Sequence, residues 1–185
     1  MRRGYFLGLC AALLLATPAL AAQDAPAVPA DSNPGPEEVS AAAPAPSEAR
    51  SLADLVADHA GRETADAEAE CLARAVYWES RGEPLSGQLA VAEVIINRAR
   101  SGRFAPTLCG VVRQPSQFSF VRRGAIPQPP SGSRDWHIAV AIAHIATDQL
   151  AEGGAPRALF FHARRVNPRW RLTRVATVGN HVFYR

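Results

Sequence analysis

The stretch from Cys71 to Arg100, CLARAVYWESRGEPLSGQLAVAEVIINRAR, constrains this chain more than any other: two helical apolar patterns meet at Gly82-Glu83-Pro84. In the first pattern Leu72, Ala75, Val76 and Glu79 recur at helical spacing, so a carboxylate continues the buried stripe instead of joining the solvated face. Arg81-Gly82 reads as the helix end, with Gly in the left-handed cap position, and Pro84 prevents an immediate restart. Glu79 then lies in the last turn, where the helix dipole is negative, just past the aromatic pair Tyr77-Trp78. Burial against rings and a helix C-terminus both push a carboxyl pKa upward, as a general acid near neutral pH requires. The competing reading is a structural Glu paired with Arg74 or Arg81. The second pattern runs from Ser86 to Arg100 with Leu89, Ala92, Val94, Ile95, Ile96 and Ala99 as its apolar face. Asn97 falls among them and needs a partner, either in a helix contact or on a cleft wall. Glu93 lies one position off that face and is expected at the surface or a rim.

Downstream, Thr107 to Arg113 reads as a short helix and Gln117 to Phe120 as a strand, with Gln117 and Ser119 on one side and Phe118 and Phe120 on the other. Arg122 to Arg134 is a long Pro- and Gly-rich loop of the kind that lines or covers a site. Asp135 is expected to cap a core helix reaching about Glu152 and stopped by Gly153-Gly154. The last third is β-rich: Ala158 to His162 is one strand, and Arg174 to Val178 pairs with His181 to Tyr184 through Gly179-Asn180. His137 and His144 are too far apart along their helix to share a metal, and no H-E-x-x-H or Cys/His cluster occurs, so neither a metal nor another cofactor is expected.

The run YWESRGEPLSGQLAVAEVIINR, followed in register by LCGVV, QFSF, LFFHA and GNHVFY, resembles the SleB-type cell-wall hydrolases, also called spore cortex-lytic enzymes, over roughly residues 70–185. The resemblance implies a small α+β domain of lysozyme-like or lytic-transglycosylase-like fold, with helices around a cleft and a short antiparallel hairpin or sheet. It implies action on peptidoglycan glycan strands, with the first Glu of the E-x-R-G-E run, Glu79, as the catalytic acid. Many relatives carry Cys just before QFSF and again shortly after it; Ser116 and Val121-Arg122-Arg123 stand there in this chain, so that staple is absent. Candidate substrate contacts are Glu83, Asn97, Gln117, Ser119, His162, Trp170, His181 and Tyr184, the polar side of the QFSF strand facing the cleft by resemblance. A lysozyme-type hydrolase needs two carboxylates about 5 to 9 Å apart, and Glu83 is the first candidate for the second, ahead of Glu93 and Asp135. If Glu83 points away, one carboxyl acting first as acid and then as base suits lytic transglycosylation. A noncatalytic peptidoglycan-binding module, and a peptidoglycan amidase or peptidase, which would need a metal site or a Cys/His pair with Cys71 or Cys109 as the thiol, are the alternatives from other classes.

The N-terminus carries Arg2-Arg3, an apolar run from Tyr5 to Ala16, and Ala19-Leu20-Ala21, which reads as a signal peptide over residues 1–22. That run is shorter than the ~20 residues a membrane span needs, so export to the periplasm or cell envelope as a monomer without a transmembrane anchor is expected. Residues 23–50 form an Ala/Pro-rich linker without apolar periodicity. Residues 51–69 form an acidic helical lead-in, with Ser51 and Asp54 as a capping pair and Thr64 capping the next helix. Removal of the signal leaves Cys71 and Cys109, an even number in an oxidising compartment, which bond to each other or remain buried thiols. Residues 23–70 hold eleven acids against two arginines, a net charge of −9, whereas residues 71–185 hold sixteen arginines against six acids, a net charge of +10. An exported basic domain suits an acidic polymer such as peptidoglycan, and export argues against nucleic acid as its partner.

Overall fold

The computed structural model describes residues 50–185; the expected signal peptide and nearly all of the expected linker lie outside the described residues. The described chain contains α1 (Leu52–His59), α2 (Ala67–Ser80), α3 (Leu85–Arg100), α4 (Leu108–Arg113), α5 (Arg134–Thr147), β1 (Phe160–Ala163), β2 (Arg174–Val178) and β3 (His181–Tyr184). None of its helices is long and apolar enough to cross a membrane.

α2 and α5 pack together at the centre through residues such as Leu72, Val76, Ala139 and Ile142, with α3 against both and α1 and α4 closing the sides. Each fully buried Val, Leu or Ile of this core contributes roughly 1.5 to 3 kcal/mol relative to exposure. Cys71 and Cys109 are disulfide-bonded, with Cα atoms 5.1 Å apart, tying α2 to α4. The three strands form an antiparallel sheet in the order β1-β3-β2, and Gly179-Asn180 joins β2 to β3. A smaller apolar cluster, including Val91, Val94 and Phe183, seats this sheet on α3. Asn97 Nδ2 donates to the carbonyl of Ala158 at 3.2 Å and Arg98 Nε to that of Leu159 at 2.7 Å, so α3 fixes the start of β1.

Several boundaries differ from the sequence expectations for local reasons. Ser51 and Asp54 do form a capping box on α1, but α2 is capped by Asp66, whose side chain accepts from Ala69 N, and not by Thr64. Ser133, not Asp135, caps α5. That helix ends at Thr147 instead of near Glu152, because Gln149 adopts φ +55° and Leu150 N turns back to the carbonyl of Ile145. Gln117 to Phe120 is a turn, not a strand: Gln117 N bonds to Gln114 O, Val121 N bonds to Phe118 O, and Ser116 has φ +64°. The first strand begins at Phe160, two residues later than expected. The 122–134 loop runs along α2, receiving hydrogen bonds at Pro127 O from Trp78 Nε1 and at Ile126 O from Arg74 Nη1.

Candidate active site

The break between α2 and α3 is what places the site. Arg81 N closes the last turn of α2 on Tyr77 O, Glu83 N bonds to Ser80 O, and Gly82 takes φ +82°, the left-handed conformation Gly adopts without penalty. Glu79 is thereby held one residue before the end of the helix, half-buried, on the wall of a cleft of about 310 Å³. Glu83, Arg98, Gln117, His162 and His181 line the same cleft. It joins the end of α2, the C-terminal half of α3, the turn after α4, β1 and the β2–β3 turn.

Glu79 has neither of the partners that a structural reading would give it. Arg74 is bonded to Glu70 at 2.5 Å, and Arg81 Nη1 donates to Tyr77 Oη at 3.0 Å while its guanidinium lies over the Tyr77 and Trp78 rings. Among the described residues no group hydrogen-bonds the Glu79 carboxyl. Burial pushes its pKa above the ordinary carboxyl value, opposed by the positive charge of Arg98. A carboxyl whose proton is held more firmly by burial, open to a cleft and free of competing donors, has the chemistry of a candidate proton donor.

Glu83 is differently placed. Its Oε2 accepts from Asn180 N at 2.8 Å and its Oε1 from Asn180 Nδ2 at 3.1 Å, so both oxygens are engaged by the hairpin turn. Gly179 has φ +55°, and a Cβ there would stand 2.4 Å from Glu83 Oε2. Gly at this position therefore serves both the turn and the carboxylate packed on it. Gly179→Ala is expected to cost about 1 to 3 kcal/mol of stability, the scale of a strained backbone position, read as a lowered midpoint in chemical denaturation.

The remaining expected contacts separate. His162 Nε2 lies 2.9 Å from Tyr184 Oη with the two rings stacked, and Trp170, exposed, meets both rings edge-on. Tyr184 and Trp170 thus stand behind and beside His162 without lining the cleft. His181 is buried with its Nδ1 unpartnered, and burial holds its pKa below the ordinary value. Ser119 is exposed and outside the cleft, because the expected strand that was to aim it inward is a turn. Asn97 is likewise not in this cleft: it projects from α3 toward a second depression, shared with Glu93, and spends its amide on Ala158. Glu93 is half-buried at that second depression and accepts from Gly153 N at 2.7 Å, and neither it nor the exposed Asp135 shares the cleft with Glu79. No residue of the 122–134 loop lines the cleft. Arg98 was not singled out from the sequence, although it closes an apolar stripe in α3 as Glu79 does in α2.

Known proteins resemble this chain in sequence and fold. A family model described as Cell Wall Hydrolase matches residues 82–184, starting just past Glu79. The spore cortex-lytic enzyme of Bacillus cereus is 34% identical over 119 residues, covering 62% of this chain and 42% of the relative. The spore cortex-lytic enzyme of Bacillus subtilis is 47% identical over 60 residues, covering 32% of this chain and 20% of that one. The chain therefore spans less than half the length of these relatives. Among solved structures, the catalytic domain of the germination-specific lytic transglycosylase SleB from Bacillus anthracis aligns with a TM-score of 0.53 and 32% identity, covering 64% of this chain and 93% of that one. The Bacillus cereus SleB catalytic domain aligns at 0.52 and 30% identity, covering 68% and 98%. The helices and small antiparallel sheet thus form a lysozyme-like fold similar to the SleB catalytic domains, and the chain belongs to the cell wall hydrolase family.

Proposed function

We propose that this chain is an exported enzyme that cleaves the bond between N-acetylmuramic acid and N-acetylglucosamine in peptidoglycan glycan strands as a lytic transglycosylase, with Glu79 as its one acid and base. The observation that carries this reading is the contrast between two carboxyls in one cleft: Glu83 is engaged at both oxygens by Asn180, and Glu79 is engaged by none of the described residues. In the first step the Glu79 carboxyl protonates the glycosidic oxygen, the C1–O bond breaks, and the N-acetylglucosamine 4-hydroxyl leaves. The resulting Glu79 carboxylate then takes the proton of the muramic acid 6-hydroxyl as that oxygen bonds to C1, which yields the 1,6-anhydro sugar and restores the acid. No water is consumed.

His162, His181 and Gln117 are the proposed polar contacts to the strand, and Trp170 with Tyr184 a proposed aromatic surface beside it. The net charge of +10 over residues 71–185 favours an acidic polymer. Export rests on residues 1–22, with 23–50 as linker, 51–69 as lead-in and 70–185 as the catalytic part. A hydrolase of the muramidase type, with Glu83 as second carboxylate, is the rival reading because Glu83 does reach the cleft. Mass spectrometry of the fragments released from purified sacculi separates the two. The proposal expects 1,6-anhydromuramyl ends; hydrated reducing ends alone would replace it with hydrolysis. Binding to sacculi without release of any fragment would favour a noncatalytic module.

A further inference from the structure

Two charged residues in this chain end an apolar stripe in the same way. Val91, Val94, Ile95 and Arg98 repeat in α3 the spacing of Leu72, Ala75, Val76 and Glu79 in α2, and Arg98 is the more deeply buried, at 5% exposure. Its guanidinium carbon lies 5.1 Å from the ring centre of Phe104, 5.7 Å from that of Phe118 and 6.0 Å from that of Phe161. Nε donates to Leu159 O at 2.7 Å, but Nη1 is buried without any hydrogen-bond partner. Aromatic faces offset part of the desolvation of a cation, yet an orphaned charged N–H remains costly. The bond to Leu159 O calls for a donor but not for a charge, which a neutral amide would supply without that cost, so the fold alone does not account for the cation.

Arg98 lines the cleft with Glu79, but the ion pairs among the described residues are Arg50 with Asp58 and Arg74 with Glu70, so the two are not in salt-bridge contact. Nη1 is shut away from solvent and Nε is taken by Leu159 O, so neither of these is offered to a ligand in the cleft. Without a salt bridge, the cation acts on the Glu79 carboxyl through its field, which is stronger where both groups are partly removed from bulk water.

We infer that Arg98 is a positioning residue that keeps the Glu79 carboxylate, left when the proton has been given to the leaving sugar, competent as the base for the second proton transfer. The inference rests on the role proposed for Glu79. Burial favours the neutral acid and so works against the second half of the cycle; the nearby cation restores part of the balance. Burial brings the Arg98 pKa down to about 10, which leaves it charged at neutral pH. The other charged or titratable groups on the cleft are Glu83 at the turn after α2, His162 on β1, Arg165 beyond β1 and His181 on β3. Glu83 is bound to Asn180, Arg165 is exposed, His162 is paired with Tyr184, and burial keeps His181 toward its neutral form. Arg98 is the buried permanent cation of the set.

The test is the pH dependence of kcat/KM and kcat on solubilised glycan strands for the wild-type chain, Arg98→Met, Arg98→Gln and Arg98→Lys, with folding of each followed by circular dichroism. Arg98→Gln retains an amide donor for Leu159 O and serves if Arg98→Met does not fold. Both neutral variants are expected to move the alkaline limb of kcat/KM to higher pH, because the acid now holds its proton longer. They are also expected to lose roughly 10²-fold in kcat, the scale for removing a preorganised charge-stabilising group. Arg98→Lys is expected to return the limb toward its wild-type position. A limb that stays in place in the neutral variants, or that moves as far in Arg98→Lys, would overturn the inference, since a purely structural arginine changes rate or stability without moving it. Glu79→Gln in the same assay separates the two levels: if it is fully active the proposed function itself is wrong, and if it is inactive while the limb stays fixed only the role of Arg98 is wrong.

Discussion

Glu79→Gln is expected to lower glycan-strand cleavage by at least roughly 10²- to 10⁴-fold, the range attributed to a positioned acid or base, while the protein stays folded. The amide keeps the size of the side chain and removes the proton that both halves of the proposed cycle use. The same substitution is expected to raise thermal stability near neutral pH. Glu79 has a folded-state pKa above the ordinary carboxyl value because of burial, so the folded chain binds more protons than the unfolded chain between the unfolded pKa and the raised one. Its contribution is thus fully present below the unfolded pKa and is lost as pH rises through the folded pKa. Gln does not titrate, so the melting temperature of the variant should exceed that of the wild type above this window and approach it below. Activity follows the same group: kcat/KM of the wild type should fall as pH rises through the Glu79 pKa, because the protonated form is the reactant.

Removal of the Cys71–Cys109 bond by the double substitution to Ser is expected to destabilise the chain by roughly 3 to 4 kcal/mol, from the chain entropy released by a loop of this length. The bridge spans a sequence separation of 38 and anchors α2, the helix that carries Glu79, to α4. Against a total stability of about 5 to 15 kcal/mol for a typical domain, such a loss leaves little reserve. Chemical denaturation of the oxidised protein and the double variant measures it. A difference below about 1 kcal/mol would mean that the core of α2, α3 and α5 specifies the packing of α4 without the covalent tie.

The features legible from the sequence are those in which one local signal has one physical meaning. The helix–Gly–Pro–helix break and the Gly179-Asn180 hairpin both depend on a backbone conformation that Gly adopts readily, and both lie where expected. The errors arise where two signals compete. Phe118 and Phe120 alternate with polar residues as a strand would, but the period reflects a turn that buries Phe118 against the Arg98 guanidinium, and no partner strand is at hand to complete a ladder. Leu150 extends the apolar pattern of α5 beyond its true end, yet is exposed, because the chain reverses at Gln149 and Leu150 N closes on Ile145 O. Asp66 and Ser133 take the cap positions in place of Thr64 and Asp135, which are chemically equivalent choices two residues away.

The cleft was legible only in part. Glu79 stands out as the charge that interrupts an apolar stripe in α2, and Arg98 carries the same signal in α3. A basic residue in the last turn of a helix is instead read by default as a favourable partner of the dipole. Asn97 and Ser119 were misplaced because a one-residue step on a helix, or a turn in place of a strand, aims a side chain at a different wall. The engagement of Glu83 by Asn180 joins positions almost a hundred residues apart, and no local pattern encodes it.

The most direct test of a single carboxyl doing both proton transfers is to compare muropeptide release from purified sacculi by Glu79→Gln and by Glu83→Gln, each verified as folded. The account predicts that Glu79→Gln releases essentially nothing, while Glu83→Gln continues to release fragments with 1,6-anhydro ends at a reduced rate. Fragments released by Glu79→Gln at the wild-type rate, or complete loss of release in a folded Glu83→Gln, would contradict it.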